Sequence, residues 1–238
     1  MKAYLLAAGL GTRLRPITNT ITKCLVPICD KPLLRWWIEL FEQHGVTDVL
    51  INLHHFPEQV KTFLGSNSGG VKFEYYFEET LIGSGGTLRE NKSFVKGEDS
   101  FCVFYADNLT NLNVSKFVEY HKEKKQIFSM ALFRSPNPTA CGIALLDDNG
   151  TIVDFEEKPK QPKSNLANAG VYVAHPDVLD LIPNHELTDI GFHLLPQLAG
   201  KMAGWEMNDY LIDIGTLENL QKAELEWKEI INYKGKDI

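Results

Sequence analysis

Leu5-Leu6-Ala7-Ala8-Gly9-Leu10-Gly11-Thr12-Arg13-Leu14-Arg15-Pro16 sets the fold of this chain. Residues 3–7 are an apolar run of strand length that empties into a turn with two glycines and two arginines. In open α/β sheets, ligands bind at this carboxyl end of the strands. Glycines there let backbone N–H groups approach a phosphate closely. Arg13 and Arg15 add fixed positive charge and planar donors, which suits a triphosphate whose charge must be offset. The competing reading is an ordinary strand-to-helix turn. Two better-known phosphate loops are disfavoured. No Gly-Lys-Ser/Thr follows, so the turn is not a Walker A loop, and Leu14 stands where a dinucleotide fingerprint needs its third glycine.

Outward from this turn, strand-length apolar runs recur at 46–53, 71–77, 101–105 and 127–133. Helix-period segments lie between most of them, at 33–44, 57–64, 86–91 and 114–123, and Asn111-Leu112-Asn113 supplies an N-cap for the last. The alternation predicts an α/β fold with a mostly parallel sheet covered on both faces. After residue 135 the pattern changes. Strands at 142–146 and 151–156 are joined by Asp147-Asp148-Asn149-Gly150, a hairpin turn rather than a crossover. A proline-bearing stretch (158–165) leads to a strand at 169–174, short helices near 176–182 and 191–200, and a terminal helix from 217 to about 233. With no separating linker and no repeat, residues 1–238 read as one domain. Within it, residues 1–135 carry the α/β alternation and residues 136–238 form a small β-rich portion.

At 238 residues, 44% hydrophobic and 23% charged, the chain can bury a full core. Its net charge of -7 argues against a nucleic-acid binder or an anionic-membrane binder, both of which neutralise phosphate with basic patches. The four cysteines (Cys24, Cys29, Cys102, Cys141) have no CxxC or zinc spacing, so a reducing, cytoplasmic compartment is expected. The first apolar run is too short for a signal peptide, and no stretch is long enough to span a bilayer.

Residues 5–16, followed in order by Lys23-Cys24-Leu25-Val26-Pro27-Ile28 and Lys31-Pro32-Leu33, resemble the signature of the nucleoside-diphosphate-sugar pyrophosphorylases. The likeness covers nearly the whole chain and implies a Rossmann-like, GT-A-like nucleotidyltransferase fold, with residues 1–135 as its nucleotide-binding portion and residues 136–238 as its sugar-phosphate-binding portion. It places Leu6, Ala8, Gly9, Gly11, Thr12 and Arg13 around the triphosphate, with Arg13 assisting pyrophosphate departure and Lys23 contacting phosphate. Thr22 and Cys24 stand where prolines are common in that family, but the cation between them remains. By residue type alone, Lys23 reads as a solvated loop lysine.

Glu78-Glu79-Thr80-Leu81-Ile82-Gly83-Ser84-Gly85-Gly86-Thr87-Leu88 opens a helix with small residues, where backbone can pack against a base or a phosphate. The resemblance makes this the base-and-sugar loop. Gly83, Ser84, Gly85 and Gly86 would lie against the nucleoside, and Glu79 would touch base or ribose. A tight helix entry is the plainer alternative.

Asp107 ends the apolar strand 101–105 and so presents a carboxylate at the ligand edge, or else is simply a turn residue. Mg²⁺ is held by few carboxylates plus substrate phosphates, so Asp107 is assigned as a first metal ligand. Ala106 replaces the glycine usual there. In Tyr210-Leu211-Ile212-Asp213-Ile214-Gly215-Thr216, Asp213 matches the family's second metal-binding aspartate.

The sugar side falls to Asn108, Glu157, Lys158, Asn168, Gly170 and Asp189 by the same likeness. Glu157 would bond sugar hydroxyls and Lys158 would hold the sugar phosphate, as a compact cation can. Taken alone, 156–158 is a solvated charge run and Asp189 an N-cap.

The resemblance thus implies transfer of a nucleotidyl group from a nucleoside triphosphate to a sugar 1-phosphate, with Mg²⁺, releasing pyrophosphate. Residues 83–87 look closest to guanylyltransferases for mannose 1-phosphate or manno-heptose 1-phosphate, with uridylyl-, thymidylyl- and cytidylyltransferases as alternatives. The length leads us to expect no appended left-handed β-helix. The rival classes are a non-catalytic nucleotide-sugar-binding module, which would need lost catalytic groups, and a dinucleotide-dependent oxidoreductase, whose fingerprint is incomplete.

Overall fold

In a computed structural model that describes residues 1–234, β1 (Lys2–Leu6) runs through the middle of a nine-stranded sheet. β2 (Pro27–Ile28) and β3 (Lys31–Pro32) form a small separate ribbon before helix α1 (Leu33–Gln43). β4 (Asp48–Leu53) follows, then α2 (Pro57–Asn67), β5 (Lys72–Phe77), α3 (Gly83–Glu90) and β6 (Phe101–Tyr105). β1 pairs in parallel with β4 on one side and β6 on the other, and β4 pairs in parallel with β5. This is the parallel half that the apolar runs predicted, buried along β1, β4 and β6 and exposed along its edge strand β5.

The chain then makes β7 (Asn108–Thr110), α4 (Val114–Lys124), β8 (Phe128–Arg134), β9 (Gly142–Leu146), β10 (Ile152–Glu157) and β11 (Leu166–Ala174). β11 lies antiparallel to β6, β8 and β9, so the two portions of the chain share one sheet. β9 and β10 are the expected hairpin, tied by the Gly150 amide donating to the Asp147 carbonyl at 3.0 Å. β12 (Met202–Glu206) adds in parallel to β8, and β13 (Leu211–Asp213) pairs with β7 ahead of α5 (Leu217–Lys234). The sheet is therefore mixed and mostly parallel in its ligand-facing half.

Alternation along the strands sorts the core onto two faces. Ala3, Leu5, Val49, Ile51, Cys102 and Phe104 pack with Leu33, Trp37 and Phe41 of α1 and with Trp227 of α5. Tyr4, Leu6, Leu50, Phe101 and Val103 pack on the opposite face with Leu88, Val95, Val178 and Leu195. α1 forms because its apolar residues recur at helical spacing. α4 starts where the Asn113 side chain accepts the Lys116 amide at 3.0 Å, a cap from within the predicted stretch 111–113.

Two expectations change. The helix expected near 191–200 is a single π turn, Ile190–Leu194, followed by a 3-10 turn, Leu195–Leu198. Pro196 has no N–H to give and clashes with an α-helical turn before it. β12 escaped the sequence reading because Ala203 and Gly204 are poor strand formers. Gly204 is needed there, since a Cβ would lie 2.8 Å from Leu132 Cδ1.

Candidate active site

The carboxyl ends of β1, β4 and β6 open into a cavity of about 320 Å³. That lies within the usual range for small-molecule sites. Its wall is contributed by the glycine turn (Leu6, Ala8, Gly9), by Lys23, Asn52, Glu78, Gly83 and Ser84, by Tyr105 and Asp107, and by Leu187 and Asp189.

The turn is shaped by glycine. Gly11 has φ +62°, and a Cβ on it would sit 2.9 Å from Thr18 Cγ2. The Thr18 hydroxyl donates to the Gly11 carbonyl at 2.7 Å, fixing the loop from behind and leaving Thr12 and Arg13 exposed.

Two acids meet at the mouth. β7 and β13 pair so that Asp213 lies opposite Asn108, and the Ile214 amide donates to the Asp107 carbonyl at 3.0 Å. Lys23, its side chain 9% exposed, places Nζ 2.6 Å from Asp107 Oδ2 and 3.0 Å from Asp213 Oδ1. Arg13 Nη2 is 3.5 Å from Asp213 Oδ2. Gly215 is pressed against this cluster, with room for no Cβ: one would lie 2.7 Å from Arg13 Nη2 and 2.9 Å from Lys23 Nζ. Lys23 is thus the buried centre of an ion cluster, not a solvated loop lysine.

The donor set fits a hard divalent ion brought in with phosphates. Both carboxylates reach one common point, which matches the few acids Mg²⁺ takes from protein when substrate oxygens and water complete its shell. Among the described residues no group of three or more His, Cys, Asp or Glu forms an all-protein cage.

Opposite the acids, Asn52 ties the glycine turn to α3. Its Oδ1 accepts the Ala7 amide at 2.6 Å, and its Nδ2 donates to Glu78 Oε1 at 2.7 Å. Glu78 also accepts from the Thr87 hydroxyl and the Ile82 amide, so this buried carboxylate is well partnered. Sequence reasoning chose Glu79, which is exposed and outside the cavity wall. The acid lining the cavity is Glu78, buried just past the end of β5, whereas Glu79 lies in the exposed bend that follows. Asn52, an amide at the end of an apolar strand, was the missed signal.

The second glycine segment divides. Gly83 and Ser84 line the cavity. Gly85 and Gly86 do not, because their amides donate to the Thr188 carbonyl at 2.8 and 3.0 Å. A carbonyl of the chain itself thus occupies the first-turn donors of α3, which were expected to face a base or phosphate.

Across from the glycine turn, Asp189 lines the cavity and also caps the turn after it, accepting the Gly191 amide at 2.8 Å. Ser84 Oγ donates to its Oδ2 at 3.0 Å. Glu157 sits beside Gly191, and burial pushes its carboxyl up, helped by Asp189 and opposed by Lys158. Lys158 has φ +52°, uncommon for a residue with a Cβ, and its Nζ stands 5.8 Å from the Phe192 ring centroid.

Asn168 donates to the Tyr172 hydroxyl at 2.7 Å and its Oδ1 takes the Gly170 amide at 2.9 Å, at an irregularity of β11. Asn108 departs from its expected place on the sugar. It is buried, and its amide donates to the Ala169 carbonyl at 3.0 Å, so it braces β7 against β11.

A profile of the nucleotidyl transferase family matches residues 2–229. The chain belongs to the nucleotidyl transferase family. Among curated members it is 35% identical to a UTP–glucose-1-phosphate uridylyltransferase of Synechocystis, over 94% of this chain and 62% of that one. It is 30% identical to mannose-1-phosphate guanyltransferase 2 of Candida glabrata, over 90% of this chain and 61% of that one. The chain thus spans about three-fifths of the length of these relatives. A crystal structure of a candidate glucose-1-phosphate thymidylyltransferase from Bacillus anthracis superposes with a TM-score of 0.84 at 29% identity, covering 94% of both chains. This nucleotidyl transferase therefore has the GT-A-like, Rossmann-type fold of its relatives. None of the helices of its described residues is long and apolar enough to cross a membrane.

Proposed function

We propose that this nucleotidyl transferase joins a nucleoside triphosphate to a sugar 1-phosphate, giving a nucleotide-sugar and pyrophosphate. One observation carries the reading: Asp107 and Asp213, from distant parts of the chain, converge on Lys23 beside the Arg13-bearing glycine turn. In the proposed reaction a sugar-phosphate oxygen forms a bond to the α-phosphorus as the bond to the pyrophosphate oxygen breaks, in line and without a covalent enzyme intermediate.

Both reactants are anions, so the protein's task is to bring them together and offset developing charge. Asp107 and Asp213 would hold Mg²⁺, which when bound neutralises and orients phosphate oxygens. Lys23 and Arg13 face the triphosphate, and Lys158 serves the sugar phosphate. Glu157 and Asp189 accept from sugar hydroxyls, with Asn168 and Gly170 shaping that side.

Residues 1–238 act as one unit in this reading, since one sheet draws strands from both portions. Four unpaired cysteines suit a reducing, cytoplasmic setting. By resemblance, residues 83–87 point to GTP with mannose 1-phosphate or manno-heptose 1-phosphate; UTP with glucose 1-phosphate is the rival pair, on the more similar relative.

The test is pyrophosphate release over a panel of triphosphates and sugar phosphates with Mg²⁺. Turnover by one pair above all others is the expected result and fixes base and sugar. Silence across the panel sinks the proposal and favours a binding module.

A further inference from the structure

Residues 183–189, which bring Leu187 and Asp189 to the cavity, belong to no helix or strand. Leu187 is itself 58% exposed. Such a segment has little apolar burial to hold it and would sample other positions unless tied elsewhere. Two residues that do not line the cavity tie it.

Thr188 is fully buried. Its amide donates to the Ile82 carbonyl at 2.9 Å, and its carbonyl takes the Gly85 and Gly86 amides at the start of α3. Its hydroxyl lies 3.2 Å from Arg89 Nη1 and 3.2 Å from each of the carbonyl oxygens of Pro183 and His185. Arg89, on the last turn of α3 with its side chain 18% exposed, adds contacts to the same two carbonyls at 2.8 and 3.3 Å. A Cβ on Gly83 would collide with the Thr188 carbonyl, so the fit needs glycine there. The segment is therefore latched to the helix whose first residues, Gly83 and Ser84, line the same cavity beside it.

We propose that Arg89 and Thr188 are positioning residues, latching residues 183–189 to α3 so that Leu187 and Asp189 complete the cavity wall against both substrates. This rests on the reaction proposed above. The guanidinium is suited to the task because its fixed fork serves several carbonyls at once, which a lysine ammonium does less well. A wall displaced by about 1 Å can cost up to a hundredfold in productive binding.

Two readouts on the full-length protein test the latch. In hydrogen–deuterium exchange without ligand, Thr188→Val and Arg89→Met should speed exchange of the 183–190 amides by about tenfold or more while β1, β4 and β6 keep their protection. In kinetics with the substrate pair chosen by the panel, both variants should raise the KM values about tenfold with kcat within about threefold. Thr188→Ser should behave as wild type, and Arg89→Lys should fall between.

Unchanged exchange at 183–190 overturns the latch. So does a fall in kcat with KM unmoved, or a Thr188→Ser variant as impaired as Thr188→Val. If Thr188→Val does not fold, the Arg89 pair decides by the same criteria. A wild-type enzyme silent on every substrate pair defeats the reaction, and the exchange experiment then decides the latch alone.

Discussion

The two sides of the cavity are built by different means. On the side of the glycine turn, Asp107 sits in the turn between β6 and β7, the glycine turn follows β1, and Asp213 is delivered by the β7–β13 ribbon, so backbone register aims each group. On the other side, Asp189 stands on an irregular segment held by Thr188 and Arg89, and Glu157 faces it from the hairpin. Groups aimed by register tolerate little substitution of their own atoms. Groups aimed by partners respond to changes at residues that never meet substrate.

The largest effect expected is on the register-built side. Asp107→Ala or Asp213→Ala should lower turnover by about a hundredfold or more at ordinary Mg²⁺, with the melting temperature little changed; near-full rate in either variant would break the comparison at its firmest point. Next comes Gly215→Ala. Its new methyl must push Arg13 and Lys23 off the acids, and a loss of about tenfold in kcat/KM is expected, read by steady-state kinetics with circular dichroism as the control for folding.

A smaller effect tests the partner-built side. Glu157 titrates above the ordinary carboxylate range because of burial, so the folded protein holds this proton more tightly than the unfolded chain. Stability from this group is present below the unfolded pKa and falls as pH rises through the folded value. Glu157→Gln should therefore raise the melting temperature at neutral pH, with the gain vanishing near pH 4, even as activity drops. A variant that gained nothing at neutral pH would mean the carboxylate is compensated in place.

The smallest effect lies away from the cavity. Burial lowers His121 to about 4, and its ring shares a hydrogen bond of 2.8 Å with the Ser129 hydroxyl. The unfolded chain binds that proton first, so stability from the neutral ring is present above about pH 6.5 and lost as pH falls toward 4. His121→Gln should flatten the dependence of melting temperature on pH across that interval without changing KM for either substrate.

The same division governs what the sequence could tell. Strand-end acids and the glycine turn were legible because apolar runs and their abrupt polar ends are local patterns, and Asp107 and Asp213 meet as expected. The hairpin at Asp147–Gly150 was legible for the same reason. Glu78 against Glu79 was not, because Glu78 is drawn inward by Asn52 and Thr87, partners from other elements that no local pattern reveals. Nor was the capture of the Gly85 and Gly86 amides by Thr188, a partner about a hundred residues along the chain whose approach no local pattern encodes. Asn108 was misplaced for a related reason: its partner, Ala169, belongs to a strand that inserts from the second half of the chain.

The β7–β13 pairing also orders events at the ribosome. A nascent chain displays the glycine turn, Lys23 and Asp107 long before residues 211–213 emerge to supply the second acid. Until then the growing polypeptide holds only one of the two acids that meet at Lys23 in the finished fold.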